Sequence, residues 1–96
     1  MSEPRRYQRK RTIGADIPAD AVYVGRPTIW GNPFVVGTTI APTAEVAVEL
    51  FRHHMTVGEG RHLPIHELRG KSLICWCRLD AACHADVLLL LAREAP

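Results

Sequence analysis

Hydrophobic positions along the chain come in short runs of differing period, separated by stretches rich in proline and glycine. Ala21-Val22-Tyr23-Val24 is β-rich and mostly apolar, follows the turn-like Asp16-Ile17-Pro18-Ala19-Asp20 and ends at Gly25, which predicts a short buried strand. Val46, Leu50, Phe51, His54 and Met55 recur at helical spacing behind Thr43, a suitable N-cap, with Glu45 where the helix dipole favours an acid. A helix over 43–56 is expected, ended by Gly58 and Gly60. Leu63–Gly70 reads as one or two helical turns with Pro64 near the start, and a strand over 71–77 should follow. Val87 and the leucines 88–91 then predict a largely buried closing helix over 82–94.

A strand–helix–strand connection of this length is best satisfied by parallel strands with a right-handed crossover. The expected fold class is therefore α/β: a small single domain with a short, mostly parallel sheet flanked by helices in strand–helix–strand–helix order. In such a sheet the loops after both strands leave at the same carboxyl-terminal edge, where ligands of open α/β sheets bind. The loop beginning at Arg26 and the loop after Cys77 should therefore meet. So few strands also leave room for an oligomer in which a second copy completes the sheet.

Composition narrows the class. Ninety-six residues, 47% of them hydrophobic, support one core and no second domain. No run reaches the roughly 18 apolar residues of a membrane span, and the first residues pass from Met1 into a basic stretch without an apolar signal region, so a cytoplasmic protein is expected. Residues 1–12 hold five basic side chains against one acid, the rest seven against nine. The division expected is a basic arm or edge strand over 1–13 and a single α/β domain over 14–96. Such an arm is either a solvated tail or a contact for phosphate or nucleic acid.

Three cysteines in a reducing compartment do not suggest a disulfide framework. Cys75, Cys77, Cys83 and His84 match tetrahedral zinc in ligand type and number, although C-x-C and an adjacent Cys-His pair lack the usual two-residue gaps. Two other readings stand beside zinc: cysteines packed as small hydrophobes, and a reactive thiol paired with His84, with Asp86 as the third member. His53, His54, His62 and His66 show no ligand-like spacing.

Arg26 follows a strand-ending glycine and precedes a proline, a good position from which to grip a phosphate or carboxylate. Trp30 could stack on a base and Asn32 could bind a polar edge; the bland alternatives are that Trp30 and Phe34 fill the core and Asn32 caps a turn. The core role is favoured for Trp30 and Phe34, the ligand role for Arg26.

Val22-Tyr23-Val24-Gly25-Arg26-Pro27, Trp30-Gly31-Asn32-Pro33-Phe34, Leu68-Arg69-Gly70-Lys71, Cys75-Trp76-Cys77 and Cys83-His84-Ala85-Asp86-Val87-Leu88 resemble a family of small bacterial and phage proteins catalogued as domain of unknown function 4326. Gln8-Arg9-Lys10-Arg11 is similar to that family's N-terminal pattern, whereas Ala15-Asp16 departs from it. The resemblance implies that Arg26, Trp30, Asn32, Cys75, Cys77, Cys83, His84 and Asp86 form one site, and it supplies no activity.

The leading expectation is a domain that binds or processes a nucleotide or other phosphate-bearing small molecule, with Arg26, Trp30 and Asn32 binding it and His84 with Asp86 transferring protons. The alternative is a non-enzymatic module stapled by zinc that contacts nucleic acid through its arm. A phage or host-defence interaction protein is a third.

Overall fold

The computed structural model describes residues 4–9 and 20–95. Lys10, Arg11 and the expected turn, apart from Asp20, lie outside them.

Three strands form one parallel sheet: β1 (Arg6–Gln8), β2 (Val22–Tyr23) and β3 (Leu73–Cys75). Their order is β1-β3-β2, so the last strand in the chain is the middle one. Leu73 lies opposite both Arg6 and Val22, and Gln8 lies opposite Cys75. The middle strand is apolar, with Leu73 and Cys75 fully enclosed in the core and Ile74, on the other face, half-buried. Both expected strands shorten, 71–77 to Leu73–Cys75 and 21–24 to Val22–Tyr23. On the β2 side the reason is the lack of a partner: β2 gives way to a turn at Gly25, so that ladder stops before Trp76 and Cys77.

Helix α1 (Ala44–Thr56) starts where the cap predicts, with Thr43 Oγ1 accepting a hydrogen bond from the Val46 N–H at 3.2 Å. Its buried face is Ala47, Phe51 and Met55 at four-residue spacing; Val46 is exposed. Phe51 and Met55 thus keep their expected places on the stripe, and only its start shifts, from Val46 to the small Ala47. Two 3-10 helices follow, Glu59–His62 and Ile65–Leu68. The first was not expected from its glycines. It forms because Gly60 packs against α1, where an added Cβ would stand 2.7 Å from both His54 Cδ2 and Met55 Sδ.

Helix α2 (His84–Glu94) closes the domain against β3 and α1. Its four leucines share one helix turn, and since neighbours diverge by about 100°, Leu88 is fully buried while Leu89 to Leu91 are half-buried. Phe51, Leu73, Leu88 and Val24 make the centre of the core, with Trp30 against it. Among the described residues no helix is long and apolar enough to cross a membrane.

Candidate metal centre and ligand cleft

The loops after β2 and β3 meet at the carboxyl edge of the sheet. Between them opens a cleft of about 260 Å³ whose lining includes Tyr23, Arg26, Asn32 and Phe34 from one side and Cys75, Trp76, Cys77, Cys83 and His84 from the other.

At one side of the cleft three free thiols gather. Cys75 ends β3, Cys77 lies two residues past it, and Cys83 is the N-cap of α2. All three sulfurs lie within 4.8 Å of one another, and the Cys75 and Cys83 Sγ atoms are 3.0 Å apart. Thiols this close cannot all ionise independently. Hydrogen bonds from Cys77 and Cys83 hold the Cys75 thiol far below its usual range, to about 2. Serving Cys75 pushes the Cys83 and Cys77 thiols up.

The donor set fits a soft, tetrahedral cation. Zinc–sulfur bonds of roughly 2.3 Å imply sulfurs about 3.8 Å apart, so the closest pair needs to open by less than an ångström. Among the described residues the close-set group is these three thiols alone. His84 is not part of it. Its Nε2–H donates to the Val24 carbonyl at 2.8 Å, its Nδ1 faces Cys83 Sγ at 3.7 Å, and its ring packs edge-on against Phe51. Burial pushes the His84 pKa down, against the opposing effect of the Val24 bond, and that bond pins α2 to the end of β2.

Asp86 turns elsewhere. Its Oδ1 receives Arg6 Nε at 3.1 Å, and it borders a separate apolar groove beside Leu89 and Leu90, so the structure does not bring it together with His84. Trp30 is 6% exposed and belongs to the core. Asn32 lines the cleft with both polar atoms engaged: Nδ2 donates to the Ala47 carbonyl at 3.1 Å and Oδ1 accepts from the Phe34 N–H at 2.9 Å, tying the loop to α1. Arg26 is exposed at the cleft, and the loop folds back over it at Gly31, where a Cβ would sit 3.1 Å from Arg26 Cα.

Two residues escape a reading by sequence. Arg6, expected as part of a basic arm, has a side chain only 9% exposed. Besides Asp86, its guanidinium donates to the carbonyls of Arg78, Leu79 and Ala81 at 2.9–3.1 Å, clasping the loop between Cys77 and Cys83. Burial works against its charge, but Asp86 and the neighbouring thiols outweigh it and the pKa is raised. Trp76, between its cysteines, is 49% exposed at the cleft. Nothing in a single sequence marks Arg6. For Trp76 the signal is its place between two cysteines in Cys75-Trp76-Cys77, all three of which line the cleft.

A parallel α/β domain with three thiols at the carboxyl edge of its sheet is the class that fold and site define. The chain belongs to the family described as Domain of unknown function (DUF4326), whose model matches residues 7–94. No curated protein and no solved structure matches it.

Proposed function

We propose that the domain binds a phosphate-bearing small molecule, nucleotides being the leading candidates, in the cleft beside a zinc ion held by Cys75, Cys77 and Cys83. One observation carries this reading: the three thiols, within 4.8 Å of one another, line the same cleft as Arg26. Structural zinc sites are closed by four protein ligands, whereas three leave a position for water or ligand. When bound, zinc would supply a Lewis acid and lower the pKa of a coordinated water. Arg26 grips the anion, Asn32 fixes the loop that carries it, and Arg6 fixes the loop that carries the cysteines. The competing module, stapled by zinc and touching nucleic acid through a basic arm, loses Arg6 as a contact because its guanidinium is spent inside the fold.

Elemental analysis and thermal shift together test this. Purified protein should hold about one zinc per chain and lose it on Cys77→Ser. A panel of nucleotides and sugar phosphates should include stabilisers whose effect disappears on Arg26→Ala. Metal-free protein of normal stability removes the zinc, and a panel without a single stabiliser removes the ligand.

A further inference from the structure

The two tryptophans occupy opposite situations: Trp30 is enclosed in the core, and Trp76 stands at the cleft with half its surface open. Exposing so large an apolar ring is costly unless something covers it in use. The indole is also held in place. Arg9 lies 5.6 Å from its ring centroid and 5.2 Å from that of Tyr23, with the Arg9 backbone N–H bonded to the Cys75 carbonyl at 2.7 Å. Tyr23 in turn donates its hydroxyl to the Arg26 carbonyl at 3.1 Å. Arg9 thus lies against both Trp76 and Tyr23, and Tyr23 ties the backbone of the cleft-lining Arg26 to the same edge.

We infer that Trp76 is the residue on which the ligand's aromatic ring stacks, so that the ligand is a nucleotide and not a simple sugar phosphate or inorganic anion. This rests on the reading that the cleft takes a phosphate-bearing molecule. Base–aromatic stacking makes Trp76 responsible for about ten- to a hundredfold of affinity.

The chain has two tryptophans, so Trp30→Phe leaves Trp76 as the sole indole reporter. Adenosine, guanosine, cytidine and uridine monophosphates and ribose 5-phosphate are titrated against it by fluorescence, and against wild type and Trp76→Ala by calorimetry. At least one nucleoside monophosphate should quench Trp76 and bind about ten- to a hundredfold tighter than ribose 5-phosphate. Trp76→Ala, exposed and safe for folding, should erase that margin and leave ribose 5-phosphate unchanged. If Trp30→Phe does not fold, the calorimetric pair decides alone. Equal binding of nucleotide and ribose 5-phosphate, indifferent to Trp76→Ala, overturns the stacking role while the phosphate reading stands. If neither these nor inorganic pyrophosphate binds, both fall.

Discussion

Replacing Arg6 by methionine keeps a long side chain on β1 and removes only the guanidinium. Lost with it are hydrogen bonds to the carbonyls of Arg78, Leu79 and Ala81 and the pair with Asp86. Each carbonyl bond contributes roughly 0.5–1.5 kcal/mol net. The Asp86 partner is more than half exposed, so the ion pair is discounted to about 0–1 kcal/mol. Together these give a loss of about 2–5 kcal/mol, or a Tm lower by roughly 10–25 °C for a domain of this size. Urea and thermal unfolding followed by circular dichroism measure it, with Arg5→Met as control, since Arg5 is exposed and, among the described residues, joins the sheet through its backbone. The control should stay within about 0.5 kcal/mol. Hydrogen exchange adds a local readout: amides of residues 78–83 should exchange faster in Arg6→Met well below its Tm. A loss under about 1 kcal/mol, or loop amides that exchange as in wild type, would refute the clasp.

Other substitutions separate packing from site. Asn32→Ala should cost about 1–3 kcal/mol by leaving the Phe34 N–H and an Ala47 lone pair without their partner, read from urea midpoints. Leu88→Ala, at the centre of the core, should cost about 2–5 kcal/mol in the same assay. Gly31→Ala pushes a methyl to within 2.9 Å of Arg26 Cγ, so stabilisation by phosphate-bearing ligands should fall by a larger factor than stability itself, as thermal shift with and without ligand would show. Chelation of purified protein should lower Tm and raise the rate at which a thiol reagent titrates Cys75, Cys77 and Cys83; unchanged rates would argue against a shared metal.

Local signals in the sequence report faithfully on local structure. Pro42-Thr43 starts α1 at the residue where a hydroxyl cap allows it, and the parallel sheet follows from the length of chain between two apolar runs. Convergence of the Arg26 and Cys77 loops was legible for the same reason. What a sequence withholds is the identity of partners. Arg6 meets carbonyls 72 to 75 positions away and a carboxylate 80 away, so its charge reads as part of an arm until the sheet sets it beside that loop. His84 and Asp86 are two apart on a helix and so leave it in different directions, one inward to Val24 and one outward to Arg6. Trp30 takes the core place favoured for it, whereas the exposure of Trp76 depends on which way the loop after β3 folds.

The strand order bears on how the molecule comes into being. Among the described residues β1 and β2 have no sheet partner except β3, which follows them by some fifty residues or more. As the chain leaves the ribosome, neither early strand has anything to pair with until Leu73–Cys75 emerges, and α2 comes later still. A nascent or truncated chain ending before that point has no sheet and no cysteine. Completion of the fold and assembly of the three thiols are therefore one event, and a cation that needs all three can be loaded only into a finished domain.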